Sequence, residues 1–278
     1  LLYLTRAAIP DRNFDQLNYH ITISERALRG VPFIEGDYFP GGLFTVHPAS
    51  QMIMALFRHL LGYRAGTLAN LFVALWTAKI LHKYLAGEAV SIKMKWFLVL
   101  LIISSEYFLM EINSYLVDLL SIPLLLEAVW LISNIESIKN KNYYAIHIVF
   151  LLGMAIALKL TNLAFVIPIL AFLALTLRKT TIRFSMKTVV VSISVFLFPI
   201  IPYSIYMYMQ TANPLFPFYN EIFRSPYWPL SNFRDLRFLP KNAIELILWP
   251  VIAFMHPERV SEIPFYSGRL ALTFGPGK

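Results

Sequence analysis

Cysteine is absent from the 278 residues, which excludes a disulfide framework, a thiolate nucleophile and a cysteine metal site. Charge is scarce as well, at 14% of residues against about a quarter in ordinary soluble domains. Glycine occurs only 11 times, and neither an internal repeat nor a low-complexity stretch interrupts the chain. No cleavable leader is recognisable. Leu1-Leu2-Tyr3-Leu4 has the look of the tail of an apolar segment, and Phe274-Gly275-Pro276-Gly277-Lys278 follows a polar stretch. The sequence therefore reads as a piece of a longer protein.

What is present is apolar. Hydrophobic residues make up 58% and aromatics 15% of the chain. They fall in blocks of about 16–22 residues, the length that crosses about 30 Å of hydrocarbon. Tyr and Trp gather near block ends, as in interfacial belts. Candidate spans are 66–84, 96–112, 115–133, 144–160, 162–177 and 188–209, with the end of an earlier span at 1–5. Residues 48–62 read as a shallow helix, because Arg58 and His59 stand too near its middle for a clean span. A further interfacial helix is expected at 241–255. The predicted fold is all-α, a single polytopic transmembrane helix bundle: 6–65 a first outer loop with the shallow helix, 66–209 the transmembrane helices, 210–278 an outer region.

The formal net charge is +8. In a soluble domain that would raise nucleic acid as a partner, but the cations sit in short loops between apolar blocks and suit anionic lipid better. Loops 79–95, 134–142 and 178–187 are almost purely basic and are expected on the cytoplasmic side. The loops at 6–47, near 113, near 160 and at 210–278 then face outward.

Polar groups beside hydrocarbon are costly and have a partner or a task. In Asp15-Gln16-Leu17-Asn18-Tyr19-His20, a helix starting near Asp15 puts Asp15, Asn18 and Tyr19 on one face. Asp15 there can take a proton from a hydroxyl, or simply cap a surface helix. His47, before Pro48, can donate to a phosphate or be a surface histidine. Asp118 lies about one turn inside its span and is expected to face the protein interior or a wet cavity; Glu111 and the deeper Glu106 are its neighbours in sequence. Lys159, in Lys159-Leu160-Thr161-Asn162, can hold an anionic headgroup or snorkel to the interface. The run from Asn213 to Asp235, with Arg224, Arg234 and Arg237 in or near it, is too polar to span and too apolar to float free. In this topology all five places lie on the outer side.

These motifs resemble the GT-C class of membrane glycosyltransferases, in particular the bacterial relatives of protein O-mannosyltransferases and of the lipid A aminoarabinose transferase. Asp15 through Tyr19-His20 is similar to an Asp-x-x-x-Tyr-His opening of the first outer loop. His47-Pro48 stands where relatives carry Lys-Pro-Pro or His-Pro. Tyr115 to Asp118 is similar to a Tyr-x-x-x-Asp motif shortened by one residue, and Gly153 to Thr161 to Gly-x-x-x-x-x-Lys-x-Thr. The resemblance implies an inverting transfer of a sugar from a polyprenyl-phosphate donor to an acceptor glycan, lipid or protein on the outer face of a bacterial plasma membrane. Asp15 would be the general base. Lys159, with Arg12 or His47, would stabilise the departing phosphate, Asp118 would orient the sugar or tune Lys159, and Tyr19 and His20 would complete the donor site. The 210–240 run would roof the cavity. No adjacent acidic pair occurs in the first loop, so a divalent metal is compatible with the resemblance but not required by it. The alternative functions are a lipid-linked saccharide flippase and a non-catalytic subunit of an envelope glycan assembly.

Overall fold

The computed structural model describes residues 15–37, 45–137, 139–179, 185–231 and 239–256, and among these the chain is helical without a strand. A five-residue π-helical turn, Gln16–His20, runs directly into α1 (Ile21–Leu28). The shallow helix α2 (Ala49–Ala65) is interrupted at Gly62, whose φ of 81° only glycine adopts without strain. α3 (Leu68–Tyr84), α4 (Ile92–Ile103) and α5 (Glu106–Ile112) follow. A 3-10 turn, Asp118–Ser121, leads into α6 (Ile122–Ser133), and α7 (Lys141–Leu158) ends at a second 3-10 turn, Leu160–Asn162. α8 (Leu163–Lys179), α9 (Met186–Leu197), α10 (Ile201–Thr211), the short α11 (Asn220–Phe223) and α12 (Ala243–Met255) complete the chain.

Local chemistry starts several of these helices. The side chains of Ser91, Asn140, Ser185 and Asn242 each accept a hydrogen bond from the backbone N–H three residues on, satisfying a donor that the first turn leaves open. α7 is the central element, packed against α6 and α9. Its Ile148, Leu152 and Ala155 are fully buried with Ala128 and Ile132 of α6. At Gly153 the α9 backbone comes so close that a Cβ would collide with the carbonyl of Phe196. Glycine is therefore what lets α7 and α9 touch.

Two helical stretches, Lys141–Leu158 and Leu160–Arg178, are long and apolar enough to cross a bilayer, and α9 with α10 forms a third if the pair, bent by 56°, is one span. The other expected spans differ from the reading of the sequence. Within residues 66–84 the helix is Leu68–Tyr84, 17 residues long. Residues 96–112 break at Ser104–Ser105 into α4 and α5. Residues 115–133 begin with a turn, and the α-helix starts only at Ile122. Asp118 accordingly opens a helical turn rather than lying inside a span. Its break has a tertiary cause: fully buried Asn70 of α3 donates to the carbonyls of Glu111, Ser114 and Leu116 (2.8–3.1 Å), which a continuous helix would have used itself.

α2 packs chiefly against α1. Its Arg58 pairs with Glu25 and donates to Ser24 (3.2 Å), while His59 Nε2 meets Glu25 at 3.1 Å. This accounts for the two polar side chains that the sequence puts in the middle of an apolar stretch. α12 occupies the expected 241–255 region and exposes Ile244, Ile247 and Val251.

Candidate functional site

The site begins with the π-helical turn. Gln16 is fully buried: its Oε1 accepts from Tyr115 N–H at 2.7 Å and its Nε2 donates to the Tyr63 hydroxyl at 3.1 Å. That amide clamps the first loop to the turn that carries Asp118. Asp15 and Tyr19, one helical turn apart, are joined by a side-chain hydrogen bond. Burial, and then the Asp15 and Asp118 carboxylates, push the Tyr19 hydroxyl above its usual range, so it stays a neutral donor to Asp15.

Asp118 and Lys159 form an ion pair across two helix interruptions. Asp118 opens the 3-10 turn before α6. Lys159 follows the last residue of α7 in extended conformation, with φ −157° and ψ 118°. Both side chains keep partial access to solvent, at 26% and 40%.

Lys159 lines a cavity of about 200 Å³ together with Tyr19, His20, His47 and Gln51. Ile156 and Leu158 of α7, Ile200, Tyr203 and Met207 at the bent α9–α10 pair, and Leu215, Phe216 and Phe218 of the later loop supply much of the remaining wall. The cavity is largely apolar, with polar groups contributed by the first loop, the start of α2, the end of α7 with the turn that follows it, and Tyr203 and Ser204 of α10. His20 and His47 are both pushed down to about 4, chiefly by burial. For His20 the Lys159 ammonium works in the same direction and Asp118 opposes it. Both rings are neutral at pH 7.

The later loop is a self-braced cover. Buried Asn213 donates to the Phe218 carbonyl (3.0 Å) and accepts from Leu215 N–H (2.9 Å). Buried Asn220 donates to the carbonyls of Ser225, Trp228 and Pro229 (2.9–3.2 Å). The cover is tied to the first loop by Thr45, which donates to the Phe216 carbonyl at 3.4 Å, and by Phe33, whose ring meets Phe216 and Tyr227 edge-on. Tyr203 in turn donates to the Thr45 carbonyl at 2.9 Å.

Of the residues singled out in the sequence, Tyr19, His20, His47 and Lys159 line the cavity. Asp118 is reached through Lys159, and Asp15 through Tyr19. Arg12, Arg234 and Arg237 lie outside the described residues, as does the span expected at 1–5. Arg224 adopts a left-handed conformation at the end of α11 and is not part of the cavity wall. Glu111 is buried beside the Asp118 turn. Reading the sequence missed Gln16, Gln51, Asn70 and Tyr203. Gln51 had a weak signal, one helical turn beyond His47; Asn70, inside an apolar block, offered only its polarity. No group of three or more His, Asp or Glu side chains suited to a metal ion occurs among the described residues.

Comparison with protein-family models, with curated proteins and with solved structures finds no match.

Proposed function

We propose that this chain is part of a multi-pass membrane glycosyltransferase of the GT-C type, moving a sugar with inversion from a polyprenyl-phosphate donor to an acceptor on the outer face of a bacterial plasma membrane. The observation that carries the reading is the meeting of three distant chain segments, around Asp15–His20, Asp118 and Lys159, at one apolar cavity between helices. A sugar-phosphate lipid needs that combination: an apolar wall for hydrocarbon, a cation for phosphate and a carboxylate near a hydroxyl.

In this reading the acceptor hydroxyl attacks the anomeric carbon and its proton passes to Asp15. The bond from the anomeric carbon to the phosphate oxygen breaks, and the electron pair leaves with the lipid phosphate. General-base help of this kind is worth about 10²–10⁴ in rate. Tyr19 holds the Asp15 carboxylate by its hydroxyl and remains protonated while doing so. Lys159 stabilises the charge on the departing phosphate. Asp118 acts on the lysine rather than on the sugar, since it already holds the Lys159 ammonium. The cover formed by 213–229 limits access of water and so hydrolysis of the donor.

The bend between α9 and α10 supports a second reading, a lipid-linked saccharide flippase, because broken helices line the binding sites of many transporters. The two are separated by incubating the full-length protein, in nanodiscs and in proteoliposomes, with undecaprenyl-phosphate sugars. Release of undecaprenyl phosphate coupled to sugar transfer is expected. Sugar-lipid movement across the bilayer with no release would replace the transferase by the flippase.

A further inference from the structure

Two histidines of the cavity wall share one feature. Each has its Nδ1 occupied by a donor from the protein. His20 Nδ1 meets Gln51 Nε2 at 3.2 Å, and His47 Nδ1 accepts the Ala49 N–H at 3.3 Å. An amide NH2 and a backbone N–H can only donate, so each Nδ1 must carry a lone pair. In a neutral ring the proton is then on Nε2. The Gln51 amide is oriented in turn by Ser50, whose hydroxyl donates to Gln51 Oε1 at 2.9 Å; both residues are buried. His47 Nε2 is buried without a hydrogen-bond partner among the described residues. The Pro199 carbonyl lies close enough to the ring to favour its protonated form, against the larger effect of burial.

We propose that Gln51 is a positioning residue which fixes His20 as an Nε2–H donor, matching His47, so that the cavity receives an anionic oxygen on a pair of neutral imidazoles rather than on imidazolium charge. The groups around His20 are the ring of Tyr19, Gln51, the Asp118 carboxylate and the Lys159 ammonium. Around His47 they are Ala49 N–H, the Pro199 carbonyl and the Tyr203 ring, at 4.8 Å between centroids. Charge is thereby left to Lys159 alone among the cavity-lining residues. The two imidazoles add direction without adding a second cation in a low-dielectric wall, where an extra charge would be costly. The inference deepens the transferase reading and rests on it only for the identity of the oxyanion.

The tautomers are directly measurable. In the full chain labelled with 15N-histidine and held in nanodiscs, two-bond proton–nitrogen correlations separate Nε2–H, Nδ1–H and doubly protonated rings, and His20→Asn and His47→Asn assign the signals. Both rings are expected in the Nε2–H form at pH 7. Gln51→Glu reverses the polarity of one contact: the carboxylate calls for a proton on Nδ1, and His20 should change tautomer or become doubly protonated while His47 does not. Gln51→Met removes the donor without adding charge and should leave His20 a mixture of tautomers. Inorganic phosphate and undecaprenyl phosphate are then titrated separately, and the Nε2–H signals of His20 and His47 should move with one or both. Movement with inorganic phosphate alone marks a free-anion site; movement with the lipid marks a headgroup site. An Nδ1–H or doubly protonated His20 in the unaltered chain, or no change on Gln51→Glu, overturns the positioning role. No movement with either phosphate overturns the oxyanion role. Movement without any sugar transfer leaves the imidazole pair standing and removes the transferase.

Discussion

Among the described residues two lysine–carboxylate pairs join helices, and they differ in everything except the pair itself. Lys83 of α3 meets Glu127 of α6 at 3.1 Å, and its ammonium also sits 3.2 Å from the centroid of the Trp130 ring. Both partners lie within continuous helices, and neither belongs to the cavity wall. This lysine is satisfied twice over, by a carboxylate and by the face of an indole. Lys159 and Asp118 instead stand where α7 ends and before α6 begins, beside a cavity with two neutral histidines. The pair between continuous helices ties elements together. The pair at interrupted helices has a cavity beside it with space for a third group. An ion pair is thus weak evidence of function, and the backbone break and cavity beside it are the stronger sign.

The comparison can be broken most severely at Asp15. Asp15→Asn keeps the shape and the bond from Tyr19 but cannot accept a proton. Turnover should fall by about 10²–10⁴ with donor affinity almost unchanged. Equal, small losses in rate and in expression would make Asp15 a structural residue. Next come the two lysines. Lys159→Ala should weaken donor binding and slow turnover together, because the charge meets the phosphate in both ground and transition states. Lys83→Ala should lower thermal stability in detergent while the activity per folded molecule stays within about twofold, since an accessible pair contributes little beyond about 1 kcal/mol. Equal loss of activity in both variants would erase the distinction.

Gly153→Ala sharpens the comparison at the level of packing. The added methyl meets the Phe196 backbone, so α7 and α9 must separate, at a cost of about 1–3 kcal/mol. Because Lys159 hangs from the end of α7, donor binding should fall along with the melting temperature, whereas the Lys83–Glu127 side should keep its geometry. The smallest effect concerns acid. His20 and His47 have values near 4 in the folded chain against about 6.5 when unfolded, so the unfolded state takes up more protons between those limits. Their contribution to stability is present above about pH 6.5 and is lost as the pH falls toward 4. The melting temperature of the unaltered chain should drop over that window, and less so in His20→Asn and His47→Asn. A parallel drop in all three would assign the acid sensitivity to other groups.

How much of this was legible in the sequence depended on the range of the interactions. α7 and α8 match the expected spans within a few residues at either end, because a long apolar block is a local signal. The break at Asp118 was not, since Asn70 in a different apolar block takes up the carbonyls that release it. The bend at Phe198–Ile200 had its signal in Pro199 and Pro202, which the apolar run obscured. Asp118 and Lys159 were singled out separately, as polar groups beside hydrocarbon. That they hold each other follows from the packing of α6 against α7 and is not encoded in the spacing of either. The sequence offers His47 as a donor to phosphate or a surface histidine, and the resemblance adds His20 to the donor site. Their neutrality comes from burial and from Gln51 and Ala49, which only the folded arrangement supplies.

The most direct test of the central claim is where a lipid-phosphate donor comes to rest. A polyprenyl phosphate carrying a photoreactive group next to the phosphate, irradiated with the full-length protein in nanodiscs, should label residues 156–161 together with Tyr203, Met207, Leu215, Phe216 and Phe218, which line the cavity. Excess undecaprenyl phosphate should suppress that labelling, and Lys159→Ala should reduce it. Labelling confined to the outward faces of α3 and α4, insensitive both to competitor and to Lys159→Ala, would contradict the account.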